Sequence, residues 1–220
     1  EAYIMAALAY HWGKMRWKLV LEDEAQYHRA HQKSIETFWK GLQYLDPTAE
    51  RVEIPFEGIT MPAHLRKPKG VSQAPVILLL PGSDSVKEEF FLWSDVFLKR
   101  GMAILAPDGP GQGETRDIMP VRYDYEKAGS AMVDFLKQRN DVDASAIGVT
   151  GVSMGGYYAP RVAAFEHRVK AAASISGAFK TQLSADRVGE WIRFTHWADN
   201  SEEAANKANQ RTLEGVIGNM

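Results

Sequence analysis

The chain has 220 residues, 45% of them hydrophobic and 25% charged, with a formal net charge of −2. That length holds one sizeable core, or one domain with an appendage, and the near balance of charge gives no electrostatic case for nucleic acid or an anionic membrane surface. The lack of cysteine excludes disulfides, thiolate catalysis and cysteine-based metal sites; with no apolar run of membrane-spanning length and no signal-peptide pattern, the chain is expected to be cytoplasmic.

Residues 1–46 read as a helical hairpin. Ile4, Leu8, Trp12, Met15 and Leu19 recur at steps of four and three, and Ile35, Phe38, Leu42 and Leu45 make a second stripe that stops at Asp46-Pro47. The acidic patch Glu22-Asp23-Glu24 marks the break between them. Trp12, Trp17 and Trp39 are more aromatic surface than a helix pair needs to cover itself, so the hairpin is expected to dock on the rest of the chain or on a second copy. His28 and His31 stand one turn apart, but no third ligand accompanies them and no metal site is assigned.

From Arg51 the apolar period changes to two. Val52, Ile54 and Phe56 alternate with polar residues, Gly58 turns the chain, and Ile59 to Lys67 completes a β-hairpin at a sheet edge. Val76 to Leu80 is an unbroken apolar run, as in a parallel strand buried on both faces, and it ends at Pro81-Gly82-Ser83-Asp84-Ser85. A helix follows from about Val86 to Arg100. Met102 to Ala106 reads as the next strand, ending in Pro107-Asp108-Gly109-Pro110-Gly111-Gln112-Gly113-Glu114, and a long helix runs from about Tyr123 to Arg139. Alternating strands and helices of this kind predict a doubly wound, mostly parallel sheet, with the site at the strands' carboxyl ends.

The next strand, Ala146 to Thr150, leads into Gly151-Val152-Ser153-Met154-Gly155, and a helix follows from Tyr157. Strand, G-x-S-x-G, helix is the context of a nucleophile elbow, in which glycines make room for a sharp turn that lifts the serine Oγ above the sheet. The Met154 N–H, opening the helix, is one donor for a tetrahedral oxyanion, and the Ser83 N–H, after the first buried strand, is the second; such a donor is worth about 3 kcal/mol of transition-state stabilisation. Asp108, in a turn-building string, reads as structural. Val169 to Ser176 is one more apolar strand. Beyond Ala178, the aromatic patch Trp191, Ile192, Phe194, Thr195 and Trp197 and the polar helical stretch to Asn219 read as a lid. The organisation is thus residues 1–46, a helical hairpin; 47–178, the core; and 179–220, a cap.

No base is evident. The fold's chain order is serine, then acid, then histidine, yet His167 lies at the far end of the elbow helix and His196 in the aromatic patch has no strand ahead of it. Asp186, Glu190 and Asp199 read as solvated lid charges. The simplest account is that the sequence stops inside the lid, before the triad's acid and histidine; its first residue, Glu1, also suggests a segment of a longer polypeptide.

Leu80 to Glu89, Asp108 to Glu114, Gly151 to Tyr158 and the front-end His11-Trp12-Gly13-Lys14 together resemble the α/β-hydrolase superfamily. Within it they are similar to the group of the 2,6-dihydroxypseudooxynicotine hydrolases, polyketide-shortening hydrolases and fermentation-respiration-switch-type esterases. The resemblance implies Ser153 as nucleophile, Ser83 and Met154 as oxyanion-hole donors, a small-molecule substrate held between sheet, lid and front-end helices, and a dimer as a common assembly. It calls for no cofactor, metal, nucleic acid or membrane. Two chemistries fit: cleavage of a C–C bond in an aromatic or β-dicarbonyl ketone, which the aromatic front end and lid favour, and ester hydrolysis. The alternative from another class is a non-catalytic binding module that kept the fold.

Overall fold

In the computed structural model, which describes residues 1–220, the front end forms α1 (Ala2–Leu19) and α2 (Glu24–Leu45). The Asp23 carboxylate accepts from Gln26 N at 3.0 Å, so the acidic patch supplies the cap that starts α2. Glu1–Ala49 is one compact unit and Glu50–Met220 a second. The expected α1 stripe is not the buried one. Ile4, Ala7, His11 and Lys14 are buried, whereas Trp12 is 57% exposed and Leu19 is exposed too. Small residues on α2 decide this: Ser34 Oγ donates to Ala7 O at 2.8 Å, and Gly41 lies against Tyr3 and Ile4. Close approach on that side turns Trp12 outward. Nor do the two histidines converge on one point: His31 Nδ1 meets the buried Lys14 Nζ at 2.9 Å, while His28 is at the surface beside Glu24.

The second unit is built on six strands: β1 (Glu50–Phe56), β2 (Ile59–Arg66), β3 (Ala74–Leu80), β4 (Ala103–Pro107), β5 (Val142–Val152) and β6 (Val169–Ile175). Their order in the sheet is β1-β2-β4-β3-β5-β6. The β1–β2 hairpin occupies one edge and β2 runs antiparallel to β4, while β4, β3, β5 and β6 are mutually parallel. The chain therefore winds from β3 to β4 on one side and returns to β5 on the other. The carboxyl ends of β3 and β5 are neighbours at this switch point, where open α/β sheets place their sites.

Val76, Leu78 and Leu80 of β3 have no solvent exposure and share one core with Met132, Val133 and Leu136 of α4 (Glu126–Lys137) and Tyr158 and Val162 of α5 (Met154–Phe165). Each such side chain contributes about 1.5–3 kcal/mol by leaving water. The helix expected from Val86 begins as a 3₁₀ turn at Lys87–Phe90 and becomes α3 over Phe91–Leu98. Strand β6, the apolar strand expected from Val169, stands at the edge of the sheet. It pairs with β5 alone, and Ile175 at its end is 42% exposed. The segment after it folds into α6 (Glu190–Thr195) and α7 (Ser201–Asn209), adds no strand to the sheet, and belongs to the same unit as the sheet.

Candidate functional site

Ser153 is the single residue between the end of β5 and the start of α5. Its backbone sits at φ 56, ψ −116, a region that disfavours any residue with a Cβ and costs on the order of 1–3 kcal/mol. The surroundings hold it there. Ser153 N donates to Ile175 O of β6 at 2.9 Å, and Tyr157 N donates to Ser153 O at 3.3 Å. The following turn presses so closely on β3 that a Cβ on Gly155 would lie 2.1 Å from Leu80 O. Glycine is thus a steric requirement at 155. The Ser153 side chain is exposed while the helix behind it is buried from Met154 to Val162. Met154 N, at the first position of α5, has no acceptor within the helix.

The loop after β3 lies against this serine: a Cβ placed on Gly82 would stand 3.5 Å from Ser153 Cβ. The structure therefore brings together the loop carrying Ser83 and the elbow carrying Ser153 and Met154. Ser83 is held on two sides. Its Oγ accepts from Trp191 Nε1 at 3.0 Å, and its carbonyl accepts from Arg116 Nη2 at 2.9 Å. The Arg116 guanidinium, almost wholly buried, stacks on the Trp191 ring 4.5 Å from its centroid, and Trp197 Nε1 donates to Arg116 O at 3.1 Å. The aromatic patch read as a lid is anchored on this loop through Ser83 and Arg116. Neither Arg116 nor Gln112 is singled out by the sequence; the available signal is their place just after the turn that follows β4.

Asp108 has no solvent exposure and accepts from Lys87 N (2.9 Å), Lys87 Nζ (2.8 Å) and Glu114 N (3.0 Å). Burial alone would raise its carboxyl, but the adjacent Lys87 ammonium outweighs that and holds it well below the usual carboxylate range. Lys87 Nζ also meets Glu88 Oε1 at 2.8 Å and Glu114, which Arg51 grips with both terminal nitrogens. Burial raises the Glu88 carboxyl, and burial together with Lys87 lowers the His64 imidazole. Asp108 is committed to this buried network beneath the loops.

None of the three histidines of the second unit is hydrogen-bonded to Ser153. His64 lies buried in β2, 4.0 Å from Glu88, and His167 is exposed in the turn between α5 and β6. His196 is 3% exposed, and both its ring nitrogens are engaged: Nδ1–H donates to Ile192 O at 2.9 Å and Nε2 accepts from Arg211 Nη1 at 2.6 Å. Burial and the Arg211 charge push its pKa down to about 4. Asp186, Glu190 and Asp199 are all exposed.

A mixed sheet wound about β3, with a strained serine between β5 and α5 at its switch point, defines the class of α/β-hydrolase folds. The profile of the alpha/beta hydrolase family matches residues 77–213, and the chain belongs to that family. It is 38% identical over 177 residues to 2,6-dihydropseudooxynicotine hydrolase of Paenarthrobacter nicotinovorans, covering 80% of this chain and 47% of that protein. It is 35% identical over 181 residues to the alpha/beta hydrolase xenA of Xenoacremonium sinensis, covering 76% of this chain and 42% of the relative. Among solved structures it is similar to the 2,6-dihydroxy-pseudo-oxynicotine hydrolase, with a TM-score of 0.82 and 29% identity over 99% of this chain and 69% of that one. The chain spans about half the length of the curated relatives it matches.

Proposed function

We propose that the protein is a serine hydrolase that cleaves a C–C bond in an aromatic or β-dicarbonyl ketone, with Ser153 as nucleophile and the N–H groups of Met154 and Ser83 as the oxyanion hole. The observation that carries this reading is the strained backbone of Ser153, set against the loop at Gly82. Strain of this kind persists where the surroundings enforce it, and a turn this sharp at the carboxyl end of β5 lifts the serine above the sheet. Ser153 Oγ adds to the ketone carbon as a general base takes its proton. The resulting alkoxide lies between the two N–H donors, and its collapse breaks the C–C bond. The expelled carbon leaves as a carbanion stabilised by its ring or second carbonyl and is protonated. Water then attacks the acyl group on Ser153, releasing a carboxylic acid and regenerating the hydroxyl.

A planar aromatic substrate is supported by the setting of Ser83, bonded to Trp191, whose ring lies 5.6 Å from that of Phe194. The name of the relative, a pseudooxynicotine hydrolase, agrees with it. An ester uses the same serine step with an alkoxide as leaving group. The test uses a fluorophosphonate probe on the whole protein: it is expected to label Ser153, and Ser153→Ala to abolish labelling. Labelling of the Ala variant at another serine overturns the assignment. Product analysis on paired aryl ketone and aryl ester substrates separates the two chemistries.

A further inference from the structure

Gln112, in the turn after β4, has no solvent exposure and takes no part in the chemistry above. Its side-chain nitrogen donates to two carbonyls of the loop after β3, Pro81 O at 2.6 Å and Gly82 O at 2.9 Å. Carbonyls accept only, so the amide must present its NH₂ end to them, and Gln112 Oε1 is left to accept from Tyr125 Oη at 3.2 Å. Tyr125 is fixed in turn: it is fully buried, and its ring stacks on that of Tyr158 in α5 with centroids 3.8 Å apart. A chain of contacts therefore runs from the elbow helix through Tyr125 and Gln112 to the peptide between Gly82 and Ser83.

The consequence lies in peptide geometry. The chain has no cis peptide bonds, so the Gly82 carbonyl and the Ser83 N–H point in opposite directions. A Gly82 carbonyl tied inward to a buried glutamine turns the Ser83 N–H toward the open side of the loop. Glycine at 82 leaves that peptide cheap to flip, because nothing in the residue's own sterics prefers one orientation. The clamp must come from outside. We infer that Gln112 is a positioning residue of the oxyanion hole, fixing the Gly82–Ser83 peptide so that its N–H faces the developing oxyanion. This rests on the assignment of Ser153 as nucleophile and Ser83 as donor.

The test uses the whole protein, 4-nitrophenyl butyrate as substrate and phenyl trifluoromethyl ketone as a reversible adduct-forming inhibitor. Gln112→Met keeps the length of the side chain and removes its donors. It is expected to lower kcat about 100-fold with KM changed less than about threefold, and to weaken the ketone in parallel, as loss of a transition-state contact does. Tyr125→Phe keeps the stacked ring and loses only the hydroxyl that orients the amide; its kcat is expected to fall about fivefold, a partial loss of the same contact. In a Ser83→Pro background, which lacks the N–H, Gln112→Met should cost nothing further. Three results overturn the inference while Ser153 is still labelled by a fluorophosphonate: a folded Gln112→Met with unchanged kcat, full additivity with Ser83→Pro, or unchanged kcat in Tyr125→Phe where Gln112→Met does not fold. Failure of the probe to label Ser153 instead removes the reading on which the inference stands.

Discussion

Two glycines beside Ser153 do different work. At Gly155 the neighbouring Leu80 carbonyl leaves no room for a Cβ, so the residue is a condition of folding. At Gly82 a Cβ would meet Ser85 Oγ and Val152 O at 3.4 Å and Ser153 Cβ at 3.5 Å, which are ordinary contact distances. The fold therefore tolerates a methyl group there, but that methyl would stand against Ser153, the nucleophile of the proposed reading. Gly82→Ala is expected to leave the melting temperature within about 2 °C, as small changes without a clash do. The rate of fluorophosphonate labelling at Ser153 should drop at least tenfold, the cost of about 1.4 kcal/mol at the transition state. A variant that melts early but labels normally would show that Gly82 serves packing alone.

At the scale of elements, the segment after β6 is stitched together by hydrogen bonds rather than by a core of its own. The Asn200 side chain caps α7 by accepting from Glu203 N, Lys207 Nζ donates to the carbonyls of His196 and Trp197, and Arg211 donates to His196 Nε2. This makes the segment sensitive to acid. The folded state favours neutral His196, whose pKa is pushed down to about 4 by burial and by Arg211. An unfolded histidine titrates near ~6.5, so the unfolded chain binds the proton first as pH falls. The resulting stabilisation is complete above pH ~6.5 and is lost as pH falls through about 4, a change of roughly 2–3 kcal/mol by pH 4.5. Melting curves of the wild type and His196→Gln should accordingly converge on acidification. A gap between them that is constant from pH 7 to 4.5 would sink the argument.

For the whole molecule, the balance of parts at the site decides what these 220 residues can do alone. The elbow and the loop after β3 bring together segments 70 residues apart or more, such as Ser83 and Ser153, which on the proposed reading supply the oxyanion donors and the nucleophile. No histidine of the second unit is hydrogen-bonded to Ser153, and His196 has both nitrogens occupied. Loss of the base from a serine triad costs several orders of magnitude, with the hole and binding retaining a small remainder. The 220 residues by themselves are therefore expected to hydrolyse 4-nitrophenyl butyrate only at a trace rate above a Ser153→Ala control. Full activity from this chain, abolished by His196→Ala, would mean that the histidine leaves its bonds to act as base.

Part of the fold is written in local patterns of residues. The apolar run Val76 to Leu80, the alternation in Val52 to Phe56 and the glycines around Ser153 each impose a backbone state on a few neighbouring residues. The succession of strands and helices along the chain and the family resemblance follow from those. Asp108 could be read as structural because Asp-Gly-Pro-Gly builds turns. The rest depends on contacts between distant segments. The buried face of α1 shifted away from Trp12 because Ser34 and Gly41 on another helix let the backbones approach. The apolar strand β6 pairs with β5 alone and is mostly exposed, because burial depends on neighbours and not on composition. Gln112 and Arg116 carry no local sign of these roles beyond their place at the turn that follows β4. Their roles exist only because β3 and β4 are adjacent and parallel, which sets the loop after one strand within hydrogen-bond reach of the loop after the other.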